Sequence, residues 1–183
     1  MILTENQELT GNKQGGILDL LAQRRSPYAY SPRPVEPEKL RRLFQAARWA
    51  PSSYNEQPWS FLVATRENPE EYHRLLGTLI EFNQQWAGQA PVLVLAVAKL
   101  ALERDGRTNR HSYYDLGQAV ADLTVQAMAE GLFVHQMGGF DAAKARQLFH
   151  IPEGYEPVTV MAIGCVGDSG SGEPGRPRAR KLL

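Results

Sequence analysis

The sequence of 183 residues has little cysteine, no net charge and no long apolar run. Its single cysteine excludes a disulfide within the chain and fits a reducing compartment. Twenty basic and twenty acidic side chains cancel, which argues against a nucleic-acid-binding protein, since such proteins present a net positive field. No run approaches the roughly 18 apolar residues that span a bilayer, and the first residues do not resemble a signal peptide. We therefore expect a cytoplasmic globular protein.

The composition indicates one domain between two polar ends. With 43% hydrophobic and 22% charged residues, the chain is long enough to bury a core without disulfides. Residues 1–15 are polar and without periodicity, which predicts a flexible N-terminal arm. Residues 169–183 are first rich in Gly and Ser and then basic, which is typical of a tail. We expect the domain to occupy residues 16–168.

Apolar periodicity predicts helices that are separated by short strands. The predicted helices are 17–24, 37–50, a segment starting at Asn68 as N-cap, 112–131 and a segment capped by Asp141; the predicted strands are 61–64, 92–98, 132–137 and 158–166. Because the strands follow no strict βαβ rhythm, we expect an α+β sheet covered by helices. The helix over 112–131 is apolar on several sides, which favours burial against a second subunit.

Some features that resemble known sites are better explained by loop composition or packing. Residues 170–175 match the spacing of a dinucleotide fingerprint, but a proline interrupts them and no helix follows. Residues 167–170 resemble a serine-protease nucleophile loop, without an evident upstream His and Asp. The four histidines lack the paired spacing of a zinc site, so we expect no metal. Cys165 lies in an apolar strand and is interpreted as core.

Basic residues at the two ends of the predicted domain are candidates for binding an anion. Arg24, Arg25 and Ser26 supply two guanidinium forks and a hydroxyl, which suit phosphate oxygens. The alternative is a solvated helix end. Near the C-terminus four basic residues follow Glu173 without an acid, among them Arg178 and Arg180. These form either the other half of an anion site or a solvated tail.

Two further loops are candidates for contact with a ring. The segment from residue 51 to 59 supplies hydroxyls, amides and aromatics in nine residues, and such a loop can bond the edge of a heteroaromatic ring. The alternative is a capping turn fixed by its two prolines. Gly138 and Gly139 precede a capped helix and let backbone N–H groups approach a ligand, or else form a plain tight turn.

In this order, the segments resemble the FMN-dependent nitroreductase family over roughly residues 17–168. The resemblance depends on Arg24-Arg25-Ser26, Pro51-Ser52-Ser53, Asn55-Glu56-Gln57-Pro58-Trp59, Asn83 with Ala90-Pro91, Asp115-Leu116-Gly117 and Gly138-Gly139-Phe140. It implies an α+β sandwich with a central, mainly antiparallel sheet. It also implies a homodimer through the long central helix, with FMN bound at the interface.

The resemblance also implies a role for each matched residue. Arg24, Arg25 and Ser26 would hold the FMN phosphate and ribityl chain, with Arg178 and Arg180 closing on the phosphate. Asn83 would bond the polar edge of the flavin ring, and Gly138 and Gly139 would offer backbone N–H groups near the hydride-accepting nitrogen. The flavin of the other subunit would be reached by Pro51, Ser52, Ser53 and Asn55, and Gln57 of the same segment is a further candidate for binding the cofactor. Tyr28 stands where the family often has a basic residue.

The resemblance implies an oxidoreductase that takes hydride from NADH or NADPH and passes it to nitroaromatic, quinone or related acceptors by a ping-pong mechanism. No side chain is named as catalytic, because FMN would carry the chemistry and solvent could supply protons. Two alternatives stay open: a flavin carrier or sensor without multi-turnover activity, and a flavin-dependent dehydrogenase or oxidase of another metabolite. The sequence does not choose between NADH and NADPH.

Overall fold

The computed structural model describes residues 17–167, which form a four-stranded sheet covered by helices. The helices are α1 (Asp19–Gln23), α2 (Pro37–Arg48), α3 (Pro69–Leu76), α4 (Glu81–Ala87), α5 (Ser112–Ala129) and α6 (Ala142–Leu148). The strands are β1 (Trp59–Thr65), β2 (Val92–Lys99), β3 (Phe133–Met137) and β4 (Tyr155–Gly164). The predicted arm (1–15) and tail (169–183), with Arg178 and Arg180, lie outside the described residues. Within the described part, no helix combines the length and the hydropathy needed to span a membrane.

The sheet has the order β1-β2-β4-β3, and every pairing is antiparallel. Strand β2 lies in the middle and is buried from Val92 to Ala98, which explains its continuous apolar sequence. Leu95 faces Leu62 on one side and Val160 on the other. The predicted α+β fold, with an antiparallel sheet covered by helices, is confirmed.

Alternate residues of β2 pack into two separate cores, because successive side chains of a strand point to opposite faces. Val94 and Ala96 belong to a core with α2 and α5, whereas Leu93 and Leu95 belong to a core with α3, α4 and α6. Strand β3 is the last in the order and lies at one edge of the sheet. There α4 and the segment after α1 pack against it.

Several predicted boundaries were wrong. Helix α1 covers only five residues instead of the predicted 17–24. None of these five residues is buried, so little tertiary packing stabilises a longer helix. The long helix α5 stops at Ala129, and Gly131 follows with a left-handed φ of 73°. Asn68 makes no side-chain capping bond, although Pro69 does begin α3. Helix α4 was not predicted at all, since its seven residues hold too few apolar side chains to show a period.

A bidentate ion pair joins α2 to the end of α5. Arg42 donates from Nε and Nη2 to the two carboxylate oxygens of Glu130, at 2.6 and 2.9 Å. The hydrogen bonds from Arg42 hold the pKa of Glu130 down at about 2, well below its usual 4.5. The pair therefore stabilises the fold above the ordinary glutamate pKa, and this contribution is lost as the pH falls through the lowered one.

Arg42→Met is accordingly expected to lower the thermal midpoint at pH 7, and the deficit should shrink as the pH falls from about 4.5 to about 2. Thermal unfolding of both proteins over that range measures it. Arg41→Met is the matched control, because Arg41 is exposed and lies 3.7 Å from an equally exposed Glu38. A deficit that stays constant from pH 7 to pH 2 would contradict the ion-pair explanation.

Candidate functional site

Most of the described candidate residues lie along one face of β3. At its start, the Arg25 guanidinium lies 5.1 Å from the centre of the Phe133 ring. Two residues on, His135 Nδ1 lies 2.9 Å from the Pro27 carbonyl oxygen. Just past the end, Asn83 Nδ2 donates to the Gly139 carbonyl at 3.0 Å. At about 3.3 Å per residue, the strand separates its first and last residues by about 13 Å, so the face suits an elongated ligand.

The arginine end of this face suits an anion. Arg24 and Arg25 are half-buried, and Arg24 Nη1 donates to Ser26 Oγ at 3.3 Å. Across residues 17–167, neither arginine forms an ion pair with a carboxylate. Two partly desolvated cations without a carboxylate partner in this part of the chain and a nearby hydroxyl form a set of donors that matches a phosphate.

The glycine end of the face is shaped by the close approach of α4. A Cβ on Gly139 would lie 2.7 Å from Ile80 Cδ1 and 2.8 Å from Asn83 Nδ2, so any side chain there would have to displace Ile80 and Asn83. A Cβ on Gly138 would meet nothing within 4 Å, so this backbone borders open space. The arrangement fixes the buried Asn83 amide beside an exposed stretch of backbone, as the recognition of a polar ring requires.

His135 is neutral and has a defined tautomer. A carbonyl oxygen only accepts, so Nδ1–H donates to Pro27 and Nε2 keeps its lone pair. Burial lowers the pKa of His135, because it disfavours the charged imidazolium; the Arg24 charge lowers it further, while the Pro27 carbonyl opposes both. No local pattern in the sequence indicates that this histidine lies in the site.

Three aromatic rings surround Tyr28 in the middle of the face. Its ring is edge-on to Trp86, His135 and Phe82, with ring centres 5.0, 4.7 and 6.4 Å away. Tyr28 thus contacts three aromatic neighbours. The sequence analysis did not identify Trp86, because it did not predict helix α4. The signal that could have identified Trp86 is its spacing of three residues from the candidate Asn83, which places both on one side of a helix.

The loop of residues 51–57 is held by α5 and not by β3. Asp115, which is 2% exposed, accepts from the Ser53 backbone N–H at 3.0 Å. Ser52 Oγ accepts from the Gln57 backbone N–H at 3.0 Å. In the described part of the chain, none of the hydrogen bonds of this loop reaches the residues gathered along β3.

The same loop has an unusual backbone. Tyr54, Asn55 and Gln57 have left-handed φ values of 55°, 58° and 48°, which non-glycine residues rarely adopt. Strain of this kind persists where surrounding contacts impose it and is concentrated at functional sites. Pro51, Asn55 and Gln57 are exposed, so the loop presents its polar groups to the outside. The motif residue Asp115 emerges as the side chain that positions it.

Comparison with known proteins places this geometry in a family. Residues 21–81 and 67–165 match the model of the Nitroreductase family. A crystal structure described as an oxidoreductase containing FMN has a TM-score of 0.81 and 31% identity, over 86% of this chain and 80% of that chain. An uncharacterized 15.4 kDa protein of Mycolicibacterium smegmatis is 33% identical over 120 residues, 62% of this chain and 80% of the relative.

A further relative comes from Streptomyces coelicolor and is described as a putative NADH dehydrogenase/NAD(P)H nitroreductase. It is 30% identical over 167 residues, which are 79% of this chain and 80% of the relative. Together these matches span the loop at residues 51–57, α5 and β3. The chain belongs to the nitroreductase family.

Proposed function

We propose that this protein binds FMN along the described face of β3 and uses NADH or NADPH to reduce small acceptors such as nitroaromatics and quinones. The observation that carries the proposal is the placement of an anion site and a ring site at opposite ends of one strand. The similar structure described as containing FMN and the relative described as an NAD(P)H nitroreductase support it.

The residues present fit FMN. Arg24, Arg25 and Ser26 would hold the phosphate, since the two arginines have no carboxylate partner among the described residues. Asn83 would bond the polar edge of the ring, in the orientation that Gly139 imposes on it. From the sequence alone, we propose that Arg178 and Arg180 also reach the phosphate.

When bound, FMN supplies the hydride chemistry. The protein contributes position and electrostatics: the backbone at Gly138 borders open space, and its N–H groups would stabilise negative charge that develops on the ring. His135 is neutral and its Nδ1–H is committed to Pro27, so it adds no cation there. No described side chain needs to act as an obligatory acid or base.

We further propose a homodimer in which the loop of residues 51–57 completes the site of the other subunit. Its exposed polar groups make no hydrogen bond to the described residues along β3, while Asp115 and Gln118 of α5 hold its backbone. The proposed contacts with the partner's flavin come from Pro51, Ser52, Ser53, Asn55 and Gln57.

Initial rates measured over a grid of donor and acceptor concentrations are expected to give parallel double-reciprocal lines. Donor and acceptor would occupy one position in turn, which is a ping-pong pattern.

The purified protein should also show flavin absorption, and the released cofactor should be FMN. NADH and NADPH are tested separately, each with a nitroaromatic and a quinone.

Results other than parallel lines and bound FMN would change or overturn the proposed function. Intersecting lines would mean that donor and acceptor bind together. Bound flavin without steady consumption of either nucleotide would support a carrier or sensor. Flavin that is reduced by a metabolite and by neither nucleotide would support a dehydrogenase. A protein that binds no flavin would overturn the proposal.

A further inference from the structure

The indole nitrogen of Trp86 is a buried donor without a hydrogen-bond partner. The side chain is 8% exposed, and no described residue accepts from its Nε1. Buried tryptophan N–H groups are nearly always paired, so an orphan donor requires an explanation. It lies in the middle of the candidate site, not in a remote part of the core.

Neither of the rings next to Trp86 accepts a hydrogen bond from this donor. The His135 ring lies 4.3 Å away at an interplanar angle of 33°, so it packs against the indole face, whereas the N–H points outward in the indole plane. The Tyr28 ring is edge-on at 5.0 Å and is 45% exposed, which makes it the more exposed of the two rings in contact with Trp86. Tyr28 is therefore the neighbour that an incoming molecule can displace.

Trp86 follows Asn83 by one turn of α4, so the two side chains lie on the same side of that helix. Asn83 contacts Gly139, and Trp86 contacts His135. His135 precedes Gly139 by four residues in the chain. Arg24 and Ser26 lie farther along the same face, near Pro27. A ligand that extends from the arginines to Gly139 would pass directly beside Trp86.

We propose that Trp86 donates its indole N–H to a carbonyl oxygen of the flavin's pyrimidine ring, after Tyr28 has been displaced. This inference rests on the proposed function, because the acceptor belongs to FMN. In this proposal Trp86 is a neutral donor to the flavin ring. Among the described residues, no Lys or Arg side chain lies over the Trp86 indole.

The first test is flavin affinity in variants that lack the N–H. Trp86→Phe removes it but keeps an aromatic ring against His135, and replacement of Trp86 by benzothienylalanine keeps both fused rings as well. Fluorescence titration of the flavin-stripped proteins is expected to show about 5- to 20-fold weaker binding of FMN in both. Riboflavin should weaken by the same factor, since its ring is identical and only its phosphate is missing.

The second test separates ring contact from a structural role. Without flavin the N–H makes no bond and its burial is unfavourable, so the flavin-stripped benzothienylalanine protein should unfold at or above the wild-type temperature. When FMN-loaded, it should unfold below the FMN-loaded wild type. Its bound flavin should have a more negative midpoint potential, because a donor to the ring stabilises the charge gained on reduction.

Three outcomes would count against the inference in different ways. Equal affinity and potential in wild type and both variants would overturn the role of Trp86 and leave FMN binding intact. An equal loss of thermal stability with and without flavin would show that the indole only supports the fold. Failure of the wild type to bind any flavin would instead overturn the proposed function.

Discussion

Arg24→Ala is expected to weaken FMN binding about 10- to 150-fold and to leave riboflavin binding nearly unchanged. A hydrogen bond to a charged group contributes about 1.5–3 kcal/mol, which corresponds to that range. Arg24 is half-buried, its Nη1 contacts Ser26 Oγ, and it forms no ion pair with a described carboxylate. Its charge is thus available to a phosphate of about two negative charges near neutral pH. Fluorescence titration of both flavins measures the effect.

The control for this change is Arg41→Ala, which removes the same charge from an exposed site on α2. It is expected to alter neither affinity. Arg24→Lys should give an intermediate loss, because lysine keeps the charge but lacks the bidentate fork. If Arg24→Ala weakens FMN and riboflavin by equal factors, Arg24 supports the fold and not the phosphate. Deleting residues 176–183 tests the basic tail in the same assay, and unchanged FMN affinity would reject Arg178 and Arg180.

Elements with a strong local signal were predicted well from the sequence. Strand β2 is an uninterrupted apolar run between Pro91 and Lys99, and it became the central strand. Pro37 begins α2 as expected, and Asp141 accepts from the Lys144 backbone N–H at 2.8 Å as a helix cap. In each case the chemistry that defines the element is contained within a few neighbouring residues.

The middle of the candidate site depends on tertiary packing, so it could not be predicted from neighbouring residues in the sequence. Trp86 and His135 are 49 residues apart, and they meet only because the short helix α4 packs on β3. The Tyr28 cluster depends in turn on where the chain runs after α1. The arginines, the serine and the paired glycines drew attention by residue type and local spacing, whereas no local pattern by itself marked Trp86 as a candidate.

The same distinction applies to the loop of residues 51–57. Its hydroxyls and amides identified it as a candidate, because such groups can bond the edge of a heteroaromatic ring. Its attachment to Asp115 at 3.0 Å is a contact across 62 residues and needs the fold. The positive φ values of Tyr54 and Gln57 were likewise hidden, since neither residue type favours that conformation.

Helix α5 has an outward face that residues 17–167 of one chain leave exposed. Its inward face, including Leu116, Val120 and Leu123, is buried against the sheet and α2. On the other side, Gly117 and Ala121 are exposed, and Val125 and Met128 continue the row at helical spacing. Small and apolar residues in such a row suit close contact between helices, and obligate dimers typically bury more than 2,000 Å² of such surface.

Gly117→Glu is expected to convert the proposed dimer into monomers, with a dissociation constant at least about 100-fold higher. An unpaired charge at a buried interface costs about 3–5 kcal/mol. Within one chain the change should be tolerated, because a Cβ at Gly117 meets nothing within 4 Å. It should even favour the helix, since glycine in a helix interior costs about 1 kcal/mol relative to good helix formers. Light scattering over a concentration series measures the change.

The expected monomer also tests the assignment of the loop at residues 51–57 to the partner's flavin. If that loop completes the other subunit's site, Gly117→Glu should weaken FMN binding along with dimerisation, although position 117 lies outside the proposed β3 site. Gly117→Ala should keep both properties, and Ala143→Glu, at an exposed alanine of α6, should keep both as well. A Gly117→Glu protein that stays dimeric would place the interface elsewhere. A monomer that holds FMN with wild-type affinity would show that each chain forms its site alone.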